Sequence, residues 1–247
     1  MNSESMTERD HRILRARGPV ALAFSLASGA YFAPAAAYYV APLRRALGIA
    51  VSTRDGRGYG LTFDDGPHPR GTPAVLEALA ARGVHATFFL VGEQVVRNPS
   101  LAAEIVAAGH GIGLHCDRHR NLLRVGPRAV SEDIARARAR IEDATACEIE
   151  RYRPPYGIFN AAALSIAKAN GWRPLLWTHW GRDWEAAASA ESIAERLVGR
   201  DVPQGSVLLL HDADHYASPG SWERTVAALP RVLDQLSARG LEASLSI

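Results

Sequence analysis

Lysine is almost absent from this chain. Lys168 is the sole example, and arginine supplies the rest of the positive charge. We read that bias as codon usage. A formal net charge of +2 leaves no basic surplus to neutralise a phosphate backbone, so nucleic-acid binding has no electrostatic basis. Cysteine is scarce too. Cys116 and Cys147 are the only two, which excludes a disulfide scaffold. The strand pattern below sets them at opposite ends of neighbouring strands, too far apart to bridge. No internal repeat or low-complexity linker is visible. Charge is missing altogether from Gly18 to Leu43, with Arg9, Arg12, Arg15 and Arg17 before it and Arg44 and Arg45 after it.

That uncharged stretch is long enough to span a bilayer. Its basic start and small residues Ser28-Gly29-Ala30 also suit a secretory signal, and Pro19, Pro34 and Pro42 suit a broken helix packed on the protein. Arginines on both flanks leave orientation open. Residues 1–50 therefore read as a basic start plus a hydrophobic segment: an anchor, a signal or a packed helix. Membrane association through Gly18–Leu43 is the partner expectation. The location leans to the membrane or cell envelope, with the cytoplasm as the alternative.

The rest has an ordinary globular composition, 47% hydrophobic and 22% charged, so it can bury a core. Apolar runs suited to strands alternate with helical stretches. Strands are expected at Tyr59–Asp64, Ala86–Val91, Gly111–His115, Ile149–Arg153, Pro174–Thr178, Ser206–His211 and Leu241–Ser246. Helices are expected at Thr72–Arg82, Pro99–Ala108, Pro127–Ala144, Ala161–Asn170, Ala190–Arg200 and Ser221–Arg239. Asn98-Pro99 and Gly126-Pro127 open helices, while Gly83, Gly109, Gly171 and Gly240 close them. The fold class is α/β, a deformed (β/α)7 parallel barrel over residues 58–247, preceded by the hydrophobic N-terminal segment.

Reactive groups in such barrels collect at the C-terminal strand ends. Asp64 and Asp65 end the first strand, His115 ends the third with His119 beyond, and Arg153 ends the fourth and leads to Tyr156. Asp183 and Trp184 follow the fifth, and His211 with Asp212 ends the sixth. Two like charges as close as Asp64 and Asp65 need a cation or a proton between them. His115 and His119, four apart, can share a metal. With Asp65 they make a two-histidine, one-carboxylate set that leaves coordination positions open, the layout of a catalytic site. Asp64 then reads as a base and His211 as an acid.

These residues resemble the polysaccharide deacetylase family, also called the NodB homology domain or carbohydrate esterase family 4. Five stretches carry the likeness in order: TFDDGP (62–67), HCDRH (115–119), RPPYG (153–157), GRDW (181–184) and LLLHD (208–212). The resemblance implies one divalent metal, zinc first and cobalt or nickel as alternatives, on Asp65, His115 and His119. It implies Asp64 as base, His211 as acid, Arg153 holding the base and Asp183 pairing with His211. It places the Tyr156 N–H at the oxyanion, and Trp184 with Leu209 in the acetyl pocket. The implied reaction is removal of N-acetyl groups from N-acetylglucosamine-containing glycans of chitooligosaccharide, chitin or peptidoglycan type. The acetylated glycan is the expected partner. O-acetyl ester hydrolysis on a xylan-like polymer and a non-catalytic, glycan- or membrane-associated relative are the alternatives. Cys116 departs from the family's usual Ser or Thr, and Trp180 stands where many relatives carry an acid. Trp177, Trp180, Trp184 and Trp222 are candidates for an aromatic wall, and His68, Asp214 and His215 lie near the same rim. Short loops suggest an open groove for an extended polymer.

Overall fold

The computed structural model describes residues 29–247. Anchor and signal readings that depend on residues 1–28 lie outside the described residues. Seven strands form one all-parallel sheet in the order β5-β4-β3-β2-β1-β7-β6. They are β1 (Tyr59–Asp64), β2 (Thr87–Val91), β3 (Gly111–Cys116), β4 (Arg151–Tyr152), β5 (Arg173–Pro174), β6 (His179–Trp180) and β7 (Ser206–His211). β1 and β2 are buried along their whole length, as expected of parallel strands covered on both faces. The order makes a curled, incomplete barrel with β5 and β6 at its edges. Residues 50–53 cross that seam: Ala50 bridges Leu175, Ser52 bridges Ser206, and the Thr53 N–H donates to the Gly205 carbonyl.

Helices follow the expected alternation. They are α1 (Ala41–Ala46), α2 (Gly71–Ala80), α3 (Gly92–Arg97), α4 (Pro99–Ala107), α5 (Pro127–Thr145), α6 (Ala161–Ala169), α7 (Ala190–Val198) and α8 (Ser221–Ala238). Pro opens α4 and α5 in the first turn, where its missing N–H costs nothing. α6 is capped by Asn160, whose side chain accepts the Ala163 N–H, and α7 by a Ser189–Ser192 capping box. The α3 turn has no counterpart in the helical pattern expected from the sequence.

The last expected strand, Leu241–Ser246, does not form. The tail touches β1 at one bridge, Tyr59 to Ala243. It then crosses the barrel end to β4, where the Arg151 guanidinium donates to the Leu245 and Ile247 carbonyls. Ile247 is fully buried with Phe89, Leu175 and Val207. A Cβ on Gly60 would collide with it, so the tail acts as a plug and not as a ladder partner. The seventh strand is instead β6, two residues long, within a stretch expected to be loop.

The 3₁₀ turn Ala33–Tyr38 and α1 pack on the barrel, with Ala37 and Ile49 buried in the main core. Tyr31 is pinned there, its hydroxyl donating to the Val125 carbonyl and accepting from Asn160 Nδ2. No described helix is long and apolar enough to cross a membrane. Both cysteines are free.

Candidate active site

β1 ends at Asp64, and Asp65 turns into the left-handed region at φ 79°. That conformation is tolerated by Asp more than by most residues. The turn aims both carboxylates into one cleft, where alternation along a continued strand would have parted them. Gly66 follows because a Cβ there would strike the buried Asp212 carboxylate. Burial pushes the Asp212 carboxyl up to about 7. Its Oδ2 accepts from Thr72 Oγ1.

The two carboxylates face different partners. Asp64 Oδ1 accepts from Arg153 Nη1 at 2.6 Å. Arg153 is fully buried and also reaches Thr62 Oγ1 at 2.9 Å and the Leu175 and Leu176 carbonyls. Its guanidinium lies 4.1 Å from the Phe89 ring centroid, the cation–π packing that suits Arg in a dry site. Asp65 Oδ1 instead lies 3.4 Å from both His115 Nε2 and His119 Nε2. Burial disfavours its charge, but His115, His119 and His211 around it hold its carboxyl below the usual range.

The donor set fits a divalent cation. His115 Nδ1 donates to the Arg153 carbonyl at 2.7 Å, which leaves its Nε2 lone pair free, the arrangement typical of a ligating histidine. Burial, with His115 and His211 nearby, pushes His119 down to about 4, so its ring is neutral near pH 7. Asp65 Oδ1 is buried with no hydrogen-bond donor. Three lone pairs thus converge, and ligand atoms of all three residues lie within 4.8 Å of one another. Zinc suits two imidazoles and a carboxylate.

Across the cleft, His211 Nδ1 pairs with Asp183 Oδ1 at 2.9 Å. Asp183 Oδ2 accepts from the His211 N–H and from Thr225 Oγ1, both at 2.7 Å. Burial opposes charge on His211, but Asp183 outweighs it and, with Asp65 and Asp64, pushes the ring up to about 10. The imidazolium is held ready to donate a proton. Tyr156 is left-handed at φ 60°, and its ring meets His119 edge-on at 4.6 Å. A strained backbone at such a place costs about 1–3 kcal/mol and persists where its surroundings hold it.

Asp64, Asp65, His115, His119, Tyr156 and His211 open on a cavity of about 510 Å³, which Trp184 and Leu209 also line. Trp177 and Trp180 join Trp184 in its wall, but Trp222 does not. Trp222 instead packs with His68 and Arg70. His68, Asp214 and His215 form a second cluster. His68 Nδ1 accepts the Gly71 N–H at 2.8 Å, so the proton of the neutral ring sits on Nε2 and faces Asp214 at 3.3 Å. The His68 ring therefore offers no free lone pair to a metal.

Cys116 is buried, and burial, with Asp133 and Asp65 nearby, pushes its thiol up. It stays a thiol and packs as a small hydrophobe. The loop it opens is held by Asp117. The Asp117 N–H donates to Asp133, and its carboxylate accepts from Arg136 and Arg140. Asp117, Asp133, Tyr38, Thr225 and Tyr216 are not singled out by any pattern in the sequence. Tyr216 stacks on His119 at 4.4 Å and 12° and donates to Glu93. Only the DRH tail of the second motif hinted at Asp117.

Residues 52–175 match the family described as polysaccharide deacetylase. A chitooligosaccharide deacetylase of Azorhizobium caulinodans is 35% identical over 187 residues, 73% of this chain and 88% of that one. A peptidoglycan-N-acetylglucosamine deacetylase of Bacillus cereus is 36% identical over 183 residues, covering 73% and 82%. Among solved structures, a peptidoglycan N-acetylglucosamine deacetylase in complex with a naphthyl-substituted N-hydroxybenzamide superposes with a TM-score of 0.74. It is 29% identical, over 81% of this chain and 92% of that one.

Proposed function

The chain belongs to the polysaccharide deacetylase family, and we propose that it is a metal-dependent hydrolase removing N-acetyl groups from N-acetylglucosamine-containing glycans. The observation that carries this is the division of labour between neighbours. Asp64 is bound to Arg153, while Asp65 faces His115 and His119. Relatives named for chitooligosaccharide and for peptidoglycan N-acetylglucosamine deacetylation favour amide over ester hydrolysis.

Asp65, His115 and His119 would hold the ion, zinc by preference. Bound there, it would polarise the acetyl carbonyl and acidify a water molecule. Asp64, oriented by Arg153, takes the water proton as the oxygen bonds to the acetyl carbon. The backbone N–H of Tyr156 meets the charge that develops on the carbonyl oxygen. His211, kept protonated by Asp183, gives its proton to the amide nitrogen as the carbon–nitrogen bond breaks. Acetate and a free amine leave. Trp184, edge-on to His211 at 5.3 Å, and Leu209 enclose the acetyl methyl.

The test is acetate release from chitooligosaccharides by zinc-loaded protein, with Asp64→Asn as control. Release that needs both the metal and Asp64 supports the reading. A fully active Asp64→Asn enzyme would remove the base, and no release from any acetamido glycan would remove the activity.

A further inference from the structure

We propose that the acetylated sugar this site takes carries a hydrophobic aglycone, and that the segment before the barrel is the surface that receives it. The inference rests on the deacetylase reading above and narrows its substrate class.

The cavity that holds the reactive groups is where substrate must sit, and its remaining walls are mostly aromatic and aliphatic, with tyrosine hydroxyls and indole N–H groups as their side-chain polar atoms. Apart from Asp64, Asp65, His115, His119 and His211, no lining residue carries a carboxylate, carboxamide, guanidinium or ammonium group. A long glycan presents hydroxyls along its length, and a site that recognises them supplies polar partners. Here the far wall is Tyr38, Trp177 and Trp180, with Leu123 and Ile158 also facing the space. Tyr38 stacks on Trp180 at 5.4 Å and 10° and leans on Trp177 at 5.6 Å. Trp180 is opposite Leu209 in the β6–β7 register, so this wall continues directly from the acetyl end of the cavity.

The apolar character does not stop at the mouth. Six large hydrophobic side chains are exposed among the described residues: Phe32, Tyr39, Val40, Val96, Leu123 and Tyr156. Tyr39, Leu123 and Tyr156 line the cavity, and Phe32 and Val40 flank the lining residues Ala35, Tyr38 and Tyr39 in the same segment. Tyr39 is 85% exposed and Tyr156 58%. Scattered exposed apolar side chains are ordinary, but a set gathered at one place marks a contact surface. A glycan leaving this cavity would find ring faces and tyrosine hydroxyls but no charged or carboxamide partner for its own hydroxyls. An alkyl or prenyl chain leaving it would gain from the same rim. Part of this rim, Phe32, Tyr39 and Val40, precedes the stretch matched to the family, which starts at residue 52, while Leu123 and Tyr156 lie within it.

The experiment compares acetate release from methyl and octyl N-acetylglucosaminide, the latter below its critical micelle concentration. It is run with zinc-loaded wild type, Tyr39→Ser and Leu123→Ser. The octyl compound is expected to have a kcat/KM higher by about tenfold or more, a gain that burial of only two or three methylenes supplies. That preference should shrink in both variants. Taking the octyl-to-methyl ratio within each variant cancels any loss of folded protein. A ratio near one in the wild type overturns the proposal and leaves the deacetylase reading standing. A high ratio unchanged in both variants also overturns it, because the chain then lies elsewhere. Binding to phosphatidylglycerol vesicles with a ratio near one would assign the rim to a bilayer and overturn it likewise. No acetate from either glycoside or from chitooligosaccharides removes the deacetylase reading, and this proposal with it.

Discussion

The two halves of the cavity are built on opposite principles. On the strand-end side, polar groups are held by other polar groups. Asp64 is tied to Arg153, His211 to Asp183, Asp183 to Thr225, and His115 to a backbone carbonyl. On the other side, Tyr38, Trp177 and Trp180 hold one another by ring contacts. The first half has fixed geometry because buried charge without a partner is too costly to keep. The second can change by whole side chains at a modest cost in packing. The first kind of construction fixes the geometry of the reactive groups, and the second leaves room for the substrate-facing surface to vary.

Substitution can sharpen that contrast. The largest effect is expected from Asp64→Asn. Loss of a general base costs about 10²- to 10⁴-fold in rate, so acetate release should nearly vanish. Metal content, measured by elemental analysis, should be unchanged because Asp65, His115 and His119 are intact. Chelation should abolish release in the wild type as well, and added zinc should restore it. Metal-independent turnover would break the assignment of these three residues. Arg153→Met should be felt in stability as well as rate. It leaves Asp64 buried without its partner, and breaking such a pair costs about 3–5 kcal/mol, read as a lower denaturation midpoint.

Asp183→Asn tests the acid. His211 is raised to about 10 by Asp183 with help from Asp65 and Asp64, so its proton is present below that pH and lost as pH rises through it. Without the Asp183 charge the ring falls toward the ordinary value of about 6.5. The alkaline limb of the pH–rate profile should move down, while the acid limb stays. An unmoved alkaline limb would show that another group sets it. The smallest effect belongs to the aromatic side. Tyr38→Ala should raise KM several-fold on octyl N-acetylglucosaminide, about 1 kcal/mol for a lost aromatic pair, with kcat and metal content nearly unchanged. An equal fall in kcat would place Tyr38 with the chemistry and erase the contrast between the two halves.

Much of the first half is legible in the sequence. Asp64, Asp65, His115, Arg153, Asp183 and His211 all fall at or just beyond strand ends. Hydrophobic periodicity locates strand ends well when strands are long and buried, as β1, β2, β3 and β7 are. It failed for β6, which is two residues long, and for the tail, whose apolar residues serve a plug with no regular period. It could not find Tyr216 on His119 or Thr225 on Asp183, because those contacts join residues about a hundred and about forty positions apart and leave no local signature. Trp222 was grouped with the other tryptophans by type alone, and the fold places it on the His68 side.

The open groove expected from short loops illustrates the same limit. The loops are short, but part of the cavity wall comes from Ala35, Tyr38 and Tyr39, in a segment that sequence alone leaves as an anchor, a signal or a packed helix. The sequence by itself determined which reactive side chains stand at the strand ends. Reactive residue types at strand termini are a one-dimensional pattern, and the backbone carries them to one rim. Only the tertiary structure decided what surrounds them. Ring stacking, the seam at residues 50–53 and the cover laid by Tyr38 depend on which distant surfaces meet, and no local period in the chain encodes that meeting.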